Sequence, residues 1–185
     1  MDSEQRRCYQ TAIVSTYCPE TSSLNKPTMR DGSQQSHRTD ILASLHSGKC
    51  LIVNSRRRNG LLLFKQYHAE FAGPGAIVGG DYDRDCKSVI PLGNLSLLDP
   101  DSHEDCQKAY LIRRQWVRLI KQITENSVPV QRVQKILEQF EQYFPAEVIA
   151  ALPDDAFAML VGVLPQTVAM VRRLGGDLED YFDDE

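Results

Sequence analysis

The sequence predicts a mainly α protein: a C-terminal helical bundle ending in a helix–turn–helix, a small irregular α+β part before it, and a disordered N-terminal tail. Three observations predict this. From Ser102 to Leu174 apolar residues recur at three- and four-residue steps, with proline and glycine confined to the breaks. Residues 41–100 instead carry short apolar runs between Gly, Pro and Asp turns, and no period persists. Residues 1–40 are rich in Ser, Thr, Gln and Arg, with few apolar residues beyond Ile13-Val14. A chain of 185 residues and 20.9 kDa has room for one domain, or one domain with an arm.

The tail comes first. Thr11–Thr16 has the composition of a short strand, while Pro19, Pro27 and Gly32 punctuate the rest without setting a period. Such an arm is either a solvated tail or a flexible DNA contact through Arg30 and Arg38. Ile41–Leu45 fits one or two helical turns. Cys50–Val53 and Leu61–Phe64 are apolar runs flanking Asn54–Gly60, a pattern that predicts a β-hairpin with Arg56, Arg57 and Arg58 at its tip. Three guanidinium forks on one loop suit phosphate; the same triplet also suits a merely solvated loop.

Gly73-Pro74-Gly75 and Gly79-Gly80 then break the chain twice. The G-x-G is no phosphate loop, because no Lys-Ser/Thr follows it. Asp81, Asp83 and Asp85 alternate like the start of a calcium loop, but the required Gly and the distant bidentate Glu are misplaced.

Helical character starts at Ser102, which with Asp105 can cap a helix. Leu111, Ile112, Trp116, Leu119, Ile120 and Ile123 are expected on its apolar face. Arg113, Arg114, Arg118 and Lys121 lie beside or opposite, either along a phosphate backbone or as a solvated bundle face. Asn126–Pro129 ends this helix and opens another, whose Val130, Val133, Leu137, Phe140 and Phe144 form a stripe suited to a core or to a homodimer seam. Pro145 stops it and opens a short helix, Ala146–Leu152, before Pro153.

Asp154–Leu174 reads as two short helices joined at Gly162. Phe157, Ala158, Val161 and Val163 point inward from the first helix and turn, and Val168, Val171 and Leu174 from the second. Gly162 suits a sharp turn that needs a left-handed backbone. The pattern Ala158-x-x-x-Gly162-Val163-x-x-x-Thr167-Val168-x-x-Val171 resembles the helix–turn–helix of bacterial transcription regulators, of the catabolite-activator type and of the sigma-factor region that reads the −35 element. The resemblance covers Asp154–Leu174 only. It implies sequence-specific binding of double-stranded DNA, with Gln166, Met170 and Arg173 reaching base edges among exposed positions that include Pro165 and Ala169. Arg56, Arg57, Arg58, Arg113, Arg114, Arg118 and Arg172 would then hold phosphates. The turn offers Leu164-Pro165 where such motifs usually carry a Ser or Thr cap.

Charge qualifies this reading. The formal net charge is −4, but it is unevenly spread. Ile136–Glu185 holds two basic residues, Arg172 and Arg173, against eleven acidic ones, many of them in the acidic tail 175–185. Such a surface does not hold a duplex unaided. The tail can therefore autoinhibit DNA binding. Under an alternative reading the chain is a non-enzymatic adaptor whose helical domain and acidic tail dock on a protein partner.

Five cysteines without a C-x-x-C pair fit a reduced, cytoplasmic protein, and no zinc spacing surrounds His103-x-x-Cys106. No run reaches the length of a membrane span. No catalytic constellation, metal site or cofactor motif is legible, so the expectation is a non-enzyme without cofactor or metal.

Overall fold

The computed structural model describes residues 32–174. Its elements are α1 (Gly32–His46), β1 (Cys50–Val53), β2 (Asn59–Phe64), β3 (Ala69–Ala72), β4 (Ile77–Gly79), β5 (Ser88–Gly93), β6 (Leu97–Leu98), α2 (His103–Thr124), α3 (Pro129–Glu141), α4 (Ala146–Ala150), α5 (Asp154–Val161) and α6 (Pro165–Leu174). The expectation of a mainly α fold is overturned: the chain is α+β, with two three-stranded antiparallel sheets between α1 and the helices α2–α6. Of the arm expected to be disordered over 1–40, residues 32–40 are helical instead, because α1 begins at Gly32; it buries Ile41 and Leu45, one turn apart. The strand expected at Thr11–Thr16, Arg30 of the arm, and the acidic tail 175–185 lie outside the described residues.

The expected hairpin does not form. β1 is the middle strand of one sheet, ordered β4-β1-β6, and β2 is the middle strand of the other, ordered β3-β2-β5. A continuous apolar run needs cover on both faces and a neighbour on both edges. Leu61, Leu62 and Leu63 meet that demand by pairing with Ala72, Phe71 and Glu70 on one side and Pro91, Ile90 and Val89 on the other. Pro91 is tolerated because β5 is an edge strand. Asn54–Arg58 thus carries the chain between sheets.

Helix starts follow the sequence closely. Ser102 Oγ accepts from the Asp105 amide at 3.1 Å and caps α2. Pro129 opens α3 at a position whose N–H has no intrahelical partner, and Pro145 and Pro153 stand at the N-caps of α4 and α5. The inward face of α2 is rotated from the expected one: Ala109, Arg113, Trp116, Ile120 and Ile123 are buried, whereas Leu111 is 54% exposed. In α3 the fully buried positions are Val133, Ile136 and Phe140, and Phe144 is buried just beyond the helix.

Sheet and helices share one core. Phe71 of β3 lies 4.9 Å from the Trp116 ring, 4.9 Å from Phe140 and 5.8 Å from Phe144, and Phe140 reaches Phe157 of α5 at 5.4 Å. Trp116 fits only because Gly73 lacks a side chain, since a Cβ there would stand 2.3 Å from the indole.

α5 and α6 are bent from one another by 113°. Gly162 makes the turn at φ 66° and ψ 51°, and its amide and that of Val163 both return to the Ala158 carbonyl. Arg132 of α3 donates to the Gly162 carbonyl at 3.1 Å and pins the turn from outside.

A Cβ at Gly162 meets nothing closer than Arg132 Nη1 at 3.9 Å, so substitution there strains the backbone rather than the packing. Gly162→Val should lower unfolding free energy by about 1–3 kcal/mol, and Gly162→Asn by clearly less, because Asn tolerates the left-handed region. Urea titration of both variants measures this; equal losses would place the cost in packing instead.

Candidate nucleic-acid interface

Ten-residue α6 turns Val168 and Val171 inward against α5 and α3. Gln166, Met170 and Arg173, at i, i+4 and i+7, are left exposed along its outer face. Among the described residues, Arg173 bonds only the Ala169 carbonyl of its own helix, at 3.1 Å.

Arg172 does not share this face. It donates to the Leu152 carbonyl at 2.9 Å and the Ile149 carbonyl at 3.1 Å, pairs with Asp154 at 3.1 Å, and lies 5.0 Å above the Phe157 ring. A guanidinium satisfying the end of α4 is a strut. The expectation that Arg172 holds phosphate is therefore corrected. It also accounts for Asp154, whose charge is met within the fold.

Arg113 is corrected on the same ground. It is 8% exposed, and its Nη2 stands 2.5 Å from Glu70 Oε2 and 3.5 Å from Asp83 Oδ1. Asp83, also buried, accepts from the Gly79 amide at 2.7 Å and lies 3.3 Å from Lys65 Nζ. Lys65 in turn bonds Asp85 and the Tyr82 carbonyl. Asp83 and Asp85 are thus anchors for buried cations. Lys65 and Glu70 had only a faint signature in the sequence, a lysine directly after an apolar run and an acid among Ala69, Phe71 and Ala72, while Asp83 stood out only as part of an incomplete calcium-loop pattern.

The electrostatics of the cluster follow from its pairing. Burial alone would raise Glu70, but the His68 hydrogen bond and the Arg113 guanidinium outweigh it and hold the carboxyl at about 2. The bond to Glu70 raises His68, against burial. Burial opposes the charge on Lys65, yet Asp85 and Asp83 leave it raised.

The remaining expected phosphate ligands are exposed. Arg114 and Arg118 form with Lys121 an i, i+4, i+7 strip along α2. Lys121 also lines a cleft of about 690 Å³ whose other walls are Tyr67–Phe71 and the α5–α6 turn at Gly162, Val163 and Pro165. Lys121, at the end of the strip, and Pro165, at the start of α6, therefore line one cleft. Arg56, Arg57 and Arg58 are exposed as well. Their loop starts at Ser55 beside Gly75, which packs on Ile112. That lies nine residues before Lys121, about 13.5 Å of helix rise.

Cys50, Cys86 and Cys106 are free thiols, and among the described residues no group of three His, Cys, Asp or Glu side chains is placed to hold a metal ion. No single described helix is long and apolar enough to cross a membrane. No protein-family model, curated protein or solved structure matches the chain.

Removing one partner of the Arg113–Glu70 pair strands a charge in the interior. Arg113→Ala should cost about 3–5 kcal/mol of stability, against less than about 0.5 for Arg114→Ala at the surface. Similar losses in urea unfolding would overturn the assignment of Arg113 as structural. Glu70 adds a pH dependence. Its folded-state value lies below the ordinary 4.5, so its contribution is present above that value and is lost as pH falls from 4.5 towards 2. The stability gap between wild type and Glu70→Gln should close over that window.

Proposed function

We propose that this chain is a sequence-specific, double-stranded-DNA-binding transcription regulator that reads the major groove with α6. The observation that carries this reading is the outer face of α6. Gln166, Met170 and Arg173 are exposed on a helix held at 113° to its predecessor, and the fold makes little use of them. Gln166 suits adenine, Arg173 suits guanine or phosphate, and Met170 can meet a thymine methyl. Sequence-independent affinity would come from the exposed strip Arg114, Arg118 and Lys121, of which Lys121 lines the same cleft as Pro165 at the start of α6, with Arg56–Arg58 contributing farther along a bound duplex. A two-fold site would call for a homodimer. The acidic tail, which follows α6 directly in sequence, would compete with phosphate for Arg173.

A second reading is a non-enzymatic adaptor, and a different observation favours it. Leu164 is 69% exposed beside the turn, and Val128 is exposed at the start of α3. Arg132 bridges these places, bonding the Asn126 and Gly162 carbonyls. A protein partner could cover this apolar edge.

A random-duplex retention assay across salt separates the two readings: steep loss of binding with salt supports the first, and indifference to duplex the second. Within the first, Arg114→Ala with Arg118→Ala should weaken all sequences alike and reduce the salt slope by about 1 for each phosphate no longer neutralised, whereas Gln166→Ala should cost about 1–3 kcal/mol at a single base position. Uniform weakening by Gln166→Ala would rule out the proposed docking. Truncation after Leu174 should raise duplex affinity at low salt and less so at high salt; no gain at either would remove the autoinhibitory role of the tail.

A further inference from the structure

Cys50 and Cys106 meet where the first turns of α2 cross the start of β1, and the DNA reading uses neither. Cys106 is the next position along the stripe that turns Ala109, Arg113, Trp116 and Ile120 inward, so its side chain leaves α2 on the packed face. Both cysteines are half-buried.

The packing of α2 on β1 and β4 places the two thiols beside one another. Lys49, next to Cys50, pairs at 2.7 Å with Asp99, just ahead of the helix. One turn beyond Cys106, the Tyr110 ring lies 5.5 Å from that of Tyr82, which follows β4. Cys106 therefore sits between two points at which the helix is fastened to this end of the sheet. Cys50 pairs in register with Gly79, and Gly80 leaves its sulfur room, since a Cβ there would stand 3.0 Å from Sγ. The thiols also sense one another. Burial raises Cys50 most, and the charge of Cys106 comes next, ahead of Asp81 and Asp83. Cys86 is differently placed: it is 1% exposed, with its sulfur directed at the Phe64 and Ser88 carbonyls.

We propose that Cys50 and Cys106 are a paired modification site, which a low-molecular-weight disulfide such as oxidised glutathione converts into an intramolecular disulfide. One protein thiolate attacks a glutathione sulfur, forming a mixed disulfide and releasing a glutathione thiolate. The second protein thiolate attacks the protein sulfur of that mixed disulfide and releases the other glutathione. Two protein thiols are oxidised, one glutathione disulfide is reduced to two thiols, and these take up the two protons that the cysteines lose. The link fastens the start of β1 to the beginning of α2. It stands independently of whether α6 reads a duplex.

Cys8 and Cys18 lie outside the described residues, so the test uses the full chain carrying Cys8→Ser and Cys18→Ser. This protein is incubated with oxidised glutathione, blocked with N-ethylmaleimide, and mapped by proteolysis and mass spectrometry. The expected product is a Cys50–Cys106 cross-linked peptide that dithiothreitol separates, with Cys86 neither cross-linked nor glutathionylated. The cross-link should form about tenfold faster in the folded chain than in denaturing urea, because the fold raises the effective concentration of one thiol at the other. Adding Cys50→Ser or Cys106→Ser should stop the reaction at a lasting mixed disulfide on the remaining partner. Mixed disulfides that persist on both cysteines when both are present would overturn the proposal. So would a cross-link to Cys86, equal rates in urea, or no reaction at either thiol.

Discussion

Phe71 is the residue on which the two halves of the fold depend. It sits on an edge strand of four residues, too short to hold a sheet together by its own hydrogen bonds. Its ring fills the space between Trp116, Phe140 and Phe144, and through Phe140 it connects to Phe157. Aromatic rings of this size contribute most of the area that a small core can bury. Two glycines make room: at Gly60 a Cβ would stand 2.5 Å from the Phe71 ring, and at Gly73 it would strike Trp116. Their effect is to let a sheet approach helices at ring-contact distance. Strands and helices consequently form one body, and α5 and α6 rest indirectly on β3.

Around that apolar centre runs a ring of paired charges. Lys65, Asp83, Glu70 and Arg113 tie the β2–β3 turn, the loop after β4, β3 and α2 to one another at the edge of the core. Buried ions of one sign would be ruinous, and alternation makes them tolerable. The pairs add direction that apolar packing lacks, since a guanidinium fork accepts its partners in few geometries. They fix the rotation of α2, which is why Arg113 rather than Leu111 faces inward.

Helix boundaries were legible in the sequence because they are set by local chemistry. The Ser102 hydroxyl, the prolines at 129, 145 and 153, and the left-handed Gly162 each act within a few residues of themselves. Strand partners were not legible, because nothing local distinguishes a hairpin from two runs that each centre a different sheet. Cys50–Val53 and Leu61–Phe64 had the look of a pair, yet each is apolar enough to demand two neighbours. β3 escaped notice altogether, since four residues including one acid carry no usable period. The outer positions of α6 were legible through the helix–turn–helix resemblance, while the cleft, assembled from three separated segments, had no signal in the sequence.

The two Arg-Arg pairs show how the same sequence element divides its work. Successive residues on a helix are rotated by about 100°. In α2 that step puts Arg113 into the interior against Glu70 and Asp83 and leaves Arg114 in water. In α6 it turns Arg172 onto the carbonyls that end α4 and leaves Arg173 on the outer face. Composition counts four cations, whereas the surface presents two. Removing two from that surface does not weaken the case for a polyanionic partner as much as the count implies, because each inward arginine sets the angle of the helix that displays its neighbour. Arg172 holds α6 to α4 and α5, and Arg113 sets the roll of α2 that turns Arg114, Arg118 and Lys121 outward. Any recognition by these helices thus rests on charges that never reach the ligand.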